Sequence, residues 1–169
     1  MGRRRGELAG VAEVDHCYLI ALGSNQRHQT FGSPREVVAT AMDLLDGSAG
    51  TVVSRSRIID SAPVGPSQRR FANAAILLET RLNPLGLLAV LQEAETAFGR
   101  RKLGQRWRAR VLDLDIVMWS GGSVSQPDLT VPHPLFRERD FVLRPAAQIA
   151  PCWREPRTGL TLRQLAARL

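Results

Sequence analysis

The sequence predicts an α+β domain with a ferredoxin-like βαββαβ core: a mainly antiparallel sheet with helices packed on it, plus C-terminal additions. Three observations predict it. Short apolar or alternating runs at 17–23, 51–60, 71–80 and 110–119 are interleaved with two stretches of helical periodicity. Each helical stretch opens on a capping residue followed by proline, Ser33-Pro34 and Asn83-Pro84, and closes on glycine, Gly47 and Gly99. At 169 residues, 44% hydrophobic and 23% charged, the chain has the size and composition of one globular domain with a core of its own.

Taken in order, CYLIALG at 17–23 is a short apolar run stopped by Gly23, as in a buried first strand, and the polar stretch 24–33 reads as a loop. Ser33, Pro34 and Glu36 form a capping-box pattern, and Val37, Val38, Ala41, Leu44 and Leu45 recur at helical spacing, which predicts a helix over 34–46. TVVSRSRIID at 51–60 suits a half-exposed strand, SAPVGPSQRR breaks regular structure, and FANAAILLET at 71–80 resumes as a strand. Leu87, Leu88, Leu91, Ala94, Glu95 and Phe98 share one face of a helix expected over 84–98. A basic loop, 99–109, leads into a strand at 110–119 closed by the turn SGGS. The remainder ends in a short amphipathic tail, TLRQLAARL.

Residues 1–15 carry three arginines with no apolar stretch behind them, so they read as a disordered leader rather than a secretory signal, and 16–169 as a single domain. No apolar run approaches the roughly 20 residues that span a bilayer. Cys17 and Cys152 have no metal-ligand spacing, and thiols in a cytoplasmic protein are the simplest account, with one long-range disulfide as the alternative. A formal charge of +7 points to an anionic partner. Part of the arginine excess can reflect codon usage, since Lys102 is the only lysine. The clustering of Arg100, Arg101, Lys102, Arg106, Arg108 and Arg110 is less easily explained that way.

The run RVLDLDIVMW puts Asp113 and Asp115 in an apolar strand. Residues two apart in a strand share a face at about 6.6 Å, so the two acids lie together while Leu112, Leu114 and Ile116 take the other side. Adjacent carboxylates repel and lose solvation, which calls for a cation. Arginines of a structural ion-pair cluster could supply it. So could Mg²⁺, which prefers oxygen ligands and is commonly shared between carboxylates and phosphates. The arginine-rich segment upstream favours Mg²⁺ and a polyphosphate. The chain has neither GxxxxGK[ST] nor a kinase glycine-rich pattern, so side chains and metal would have to grip the phosphates.

Taken alone, His133 reads as a surface histidine or a phosphate donor, Trp107 as a ligand cover or local packing, and Phe71 and Phe141 as core. Asn73 sits two positions after Phe71 in an apolar run, where a buried amide needs partners.

Together the motifs ALGSN, PVGPxxxxFANAAI, GRRKLGQRWRARVLDLDI and LTVPHPLFRERDFVLRP resemble the 6-hydroxymethyl-7,8-dihydropterin pyrophosphokinase family, over residues 17 to 152 and in the family's order. The resemblance implies pyrophosphate transfer from ATP to the hydroxymethyl group of the dihydropterin, with release of AMP and two Mg²⁺ ions, in folate biosynthesis. Asp113 and Asp115 match the metal-binding aspartates. Phe71 and Phe141 would sandwich the pterin and Asn73 would read its edge, helped by the backbone around Ser61, Ala62 and Val64. Gln92, Glu95, Ile116, Thr130 and His133 match the ATP side. Arg100, Arg110 and Arg139 match phosphate- and substrate-facing arginines, with Arg100 and Arg110 counted as catalytic beside the aspartates and Arg139 with the ATP side. Trp107 matches an aromatic on the loop that closes over the site. A monomer that binds neither nucleic acid nor membrane is implied.

The sequence departs from the pattern at two places. Arg108 and Ala109 stand where the family usually has Gly-Pro, and Leu103 stands where some members carry a phosphate-binding lysine. An RNA-binding ferredoxin-like module would share the high pI, but its strand aromatic signature is absent and aromatics are only 5% of the chain. An inactive relative would tolerate both departures, whereas retention of both aspartates, Asn73 and the arginines speaks for an active one.

Overall fold

The computed structural model describes residues 15–63, 69–99 and 111–169. Its central sheet is antiparallel throughout, in the order β2-β4-β1-β5 with β3 also paired to β4. The strands are β1 (His16–Ser24), β2 (Thr51–Arg55), β3 (Ile59–Ser61), β4 (Phe71–Thr80) and β5 (Asp113–Trp119). With α1 (Pro34–Ser48) between β1 and β2, and α2 (Pro84–Ala97) between β4 and β5, this is the expected βαββαβ core.

Local chemistry sets the helix starts as the sequence predicts. The Ser33 hydroxyl accepts from the Glu36 N–H and the Glu36 carboxylate accepts from the Ser33 N–H, completing the capping box, while Asn83 Oδ1 accepts from the Gly86 N–H. Helical dihedrals are lost at Asp46 and Gly47, the latter at φ +97°, where glycine is the residue that fits.

The expected strand at 51–60 is two strands. Between them Ser56 is buried, accepts from the Ala75 N–H through its hydroxyl and donates its own N–H to the Ala75 carbonyl. This side-chain bond replaces one rung of the ladder and divides the strand. Ser24, assigned by sequence to the following loop, is the last residue of β1 and fully buried.

The sheet is covered on both sides. One face packs Tyr18, Ile20, Leu22, Ile76, Leu114 and Ile116 against α1 and α2 through Val38, Leu45, Leu91 and Phe98. The other packs Leu19, Ala21, Ala75, Val117 and Met118 against α3 (Asp140–Ile149) and α4 (Leu162–Ala166). A register shift opposite Leu19 and Ile20 makes Val117 an extra residue, so Val117 and Met118 both reach this second core. The freed Val117 carbonyl accepts from the His133 N–H at 3.0 Å.

Helix α3 and the hairpin of β6 (Val124–Gln126) and β7 (Leu129–Val131) were not predicted. Pro145 lies inside α3 and disguises it, because proline removes a helical hydrogen bond. Burial of Val142, Leu143, Pro145 and Ala146 on the sheet outweighs that loss. Cys17 and Cys152 are both free thiols, so no disulfide joins them.

Candidate active site

Strand alternation and register place the polar residues of the second face in one row. Asp113 pairs with Gly23 on β1, Gly23 with Asn73 on β4, and Asn73 with Ile59 on β3. One row further along, Asp115 pairs with Ala21 and Ala21 with Ala75, both of the second core, so the aspartates share the α3 side of the sheet. Their neighbours Leu112, Leu114 and Ile116 enter the opposite core, as the alternation predicts.

Gly23 leaves the floor between Asp113 and Asn73 bare. A β-carbon there would stand 3.3 Å from Asn73 Oδ1. The amide of Asn73, 5% exposed, donates from Nδ2 to Ser61 Oγ at 2.7 Å, which fixes its orientation. Phe71, two residues before Asn73, shares its face and pairs with Ser61. A flat polar ligand at this place would meet an aromatic ring and an oriented amide edge.

His133 approaches from the β7 side. Its Nδ1 accepts from the Leu135 N–H at 3.3 Å, which leaves the proton on Nε2, 3.9 Å from Asp115 Oδ2. Burial lowers the His133 pKa, and Arg139 adds to the effect, against the upward pull of Asp115 and Asp113; the ring is neutral at pH 7. Arg139 precedes α3, with its guanidinium 5.8 Å from the centre of the Phe141 ring. Phe141, in the first turn of α3, is half-buried against the second core.

Not every candidate faces this region. Ile116 is 4% exposed, with its side chain in the core beneath α1 and α2, so at the second face it offers only its backbone. Glu95 is buried on α2 and accepts from the Leu114 N–H at 2.9 Å, which anchors the strand that carries both aspartates. Gln92, Thr130 and Ala62 are exposed. Val64, Arg100, Trp107 and Arg110 lie outside the described residues, as do Leu103, Arg108 and Ala109. Sequence reasoning missed the role of Gly23 as bare floor; a glycine ending an apolar strand was the available signal.

The donor set suits a hard cation shared with a ligand. Asp113 and Asp115 are half-buried carboxylates on one face, and among the described residues no group of three or more His, Cys, Asp or Glu forms a closed metal cage. Two carboxylates with remaining positions open to phosphate and water are what Mg²⁺ commonly takes. Residues 100–110 carry six Lys or Arg and no acid, a local charge of +6 next in sequence to this pair, in a chain whose net charge is +7.

The fold and the site define a ferredoxin-like α+β protein with a carboxylate pair on the same sheet face as an aromatic residue and an oriented amide. The family model for 7,8-dihydro-6-hydroxymethylpterin-pyrophosphokinase (HPPK) matches residues 19–151, and the chain belongs to that family of enzymes. Similar proteins bear the name 2-amino-4-hydroxy-6-hydroxymethyldihydropteridine pyrophosphokinase. One from Synechocystis sp. is 37% identical, over 89% of this chain and 74% of its own. One from Pseudomonas aeruginosa is 40% identical, over 81% of this chain and 82% of its own. Among solved structures, Plasmodium falciparum HPPK-DHPS wild type with pteroate superposes with a TM-score of 0.73 at 12% identity, a likeness of fold. The match covers 92% of this chain but 44% of the Plasmodium chain, so this chain spans less than half of that one.

Proposed function

We propose that the chain transfers the terminal pyrophosphate of ATP to the hydroxymethyl group of 6-hydroxymethyl-7,8-dihydropterin, giving the pterin diphosphate and AMP, with Mg²⁺ held by Asp113 and Asp115. The observation that carries this reading is the row Asp113, Gly23, Asn73, which sets a cation-binding carboxylate and a heterocycle-reading amide on either side of a bare glycine.

In this reading Asn73, fixed by Ser61, hydrogen-bonds the polar edge of the pterin, and Phe71 and Phe141 cover its faces. The pterin hydroxyl is thereby aimed toward the aspartates, where the phosphates lie. Its oxygen attacks the β-phosphorus in line, the bond from that phosphorus to the AMP oxygen breaks, and the hydroxyl proton passes to solvent. Bound Mg²⁺, two ions in the family's pattern, supplies neutralisation of the phosphate oxygens. His133 presents its Nε2 proton beside Asp115 as a neutral donor to a phosphate oxygen, and Arg139 adds fixed positive charge. No side chain is assigned as general base.

The test is AMP release by the purified protein with hydroxymethyl-dihydropterin, ATP and Mg²⁺. AMP that requires both pterin and metal is expected; ATP breakdown indifferent to pterin, or no AMP at all, would overturn the reading.

A further inference from the structure

The segment that runs from β7 into the first turn of α3 carries His133, Arg139 and Phe141, and three contacts seat it. The His133 N–H donates to the Val117 carbonyl of β5, and Phe136 is fully buried among residues of the sheet, α3 and α4. The third contact is ionic. Arg137, from the 3-10 turn Phe136–Glu138, donates through Nη2 to Oε1 of Glu155, whose side chain is 0% exposed against 23% for Arg137.

Glu155 is held as firmly as it holds. Its carboxylate also accepts from the Arg157 N–H at 3.0 Å, the Thr158 N–H at 2.8 Å and the Thr158 hydroxyl at 2.7 Å. Its backbone N–H donates to the Leu160 carbonyl at 2.9 Å, and its carbonyl accepts from the Gly159 N–H at 2.8 Å. The guanidinium of Arg137 lies 4.9 Å from the centre of the Phe136 ring.

A buried ion pair is a poor way to gain stability, because desolvation takes back most of the Coulomb attraction. It does fix one guanidinium in one place. Arg137 stands four residues after His133 and four before Phe141, so its position constrains both ends of the segment.

We infer that Glu155 is a positioning residue: through Arg137 it sets the segment that presents His133, Arg139 and Phe141, and so makes the C-terminal stretch 151–169 part of the ligand site's geometry. The inference rests on the proposed role of Phe141 at the pterin.

Calorimetric titration with hydroxymethyl-dihydropterin tests it, on the full chain, its Glu155→Gln and Phe141→Ala variants, and the double variant. Val38→Ala, in the core under α1, serves as a destabilised control. Phe141→Ala is expected to raise the pterin Kd about 30-fold, and Glu155→Gln about 5-fold. The double variant should stay near 30-fold instead of reaching the product of about 150-fold, because Glu155 acts through a ring that is already gone. Val38→Ala should lower the melting temperature and leave Kd unchanged. If Glu155→Gln does not stay folded, Arg137→Met gives the same readout and leaves Glu155 its three loop donors. Wild-type pterin affinity in Glu155→Gln, a full 150-fold product, or an equal Kd change in Val38→Ala would each overturn the inference. Normal pterin binding by Phe141→Ala would instead sink the assignment of the pterin pocket.

Discussion

The two faces of the sheet are made by the same strands and differ in what they leave uncovered. On the α1 and α2 side, Ile20, Leu22, Ile76, Leu114 and Ile116 form an unbroken apolar layer. On the α3 and α4 side the apolar layer stops at Ala21 and Ala75, and the next row is Asp113, Gly23 and Asn73. The polar row is supported from behind: Leu114 and Ile116 pack β5 down, and Glu95 takes the outward N–H of Leu114. Such a strand can carry two adjacent carboxylates because alternate residues secure it through the other face.

The contrast is broken most severely by Asp115→Ala. Loss of one of the two carboxylates proposed to hold Mg²⁺ is expected to cut AMP formation by about a thousandfold or more while thermal unfolding stays near wild type. A variant that keeps near-normal turnover with Mg²⁺ would remove Asp115 from the metal site. Its neighbour gives the converse. Leu114→Ala empties a core position and should cost about 2–5 kcal/mol of stability in denaturant unfolding, with kcat close to wild type well below the melting temperature. Equal losses of turnover in both variants would mean that the two faces do not divide stability from chemistry.

A smaller effect is expected where the second face meets the C-terminal stretch. Burial alone would raise the pKa of Glu155, but donation from Arg137, Thr158 and Arg157 outweighs it and holds the carboxyl at about 2, against an ordinary value of 4.5. A carboxyl depressed on folding contributes stability above its unfolded pKa and loses it as pH falls through the folded value. Melting temperature in the wild type should therefore fall more steeply between about pH 4.5 and pH 2.5 than in Glu155→Gln, so that the gap between them narrows with acid. Parallel curves over that window would show that the ionised carboxylate is not what secures this stretch.

What the sequence revealed follows the range of the interactions concerned. The aspartate pair, its apolar backing and both helix caps depend on residues two to four apart, and all were legible. The division of 51–60 depends on Ser56 bonding Ala75, 19 residues away, and no local pattern records it. Helix α3 was hidden by Pro145, whose cost is recovered only by burial against distant strands. The Arg137–Glu155 pair, 18 residues apart, was invisible for the same reason. Ile116 carries two readings of different kinds: family resemblance sets it at the ATP side, and strand alternation turns its side chain into the opposite core, where the structure has it, so that only its backbone could serve the first.

The smallest expected effect belongs to the start of α1, on the apolar face. Ser33→Ala removes the hydroxyl that accepts from the Glu36 N–H, breaking the capping box at the start of α1. The loss should be about 1 kcal/mol in denaturant unfolding, with no change in the Km for either substrate, because the cap bonds only Ser33 and Glu36 and leaves the Arg35 bonds to Asp60 and Ile58 beside β3 in place. The reciprocal bond from the Ser33 N–H to Glu36 survives the substitution, so Glu36→Ala should add a further, smaller loss. A Km that moved with either cap variant would show that α1 reaches the site through β1, and Gly23 at the end of that strand would be where to look for the shift.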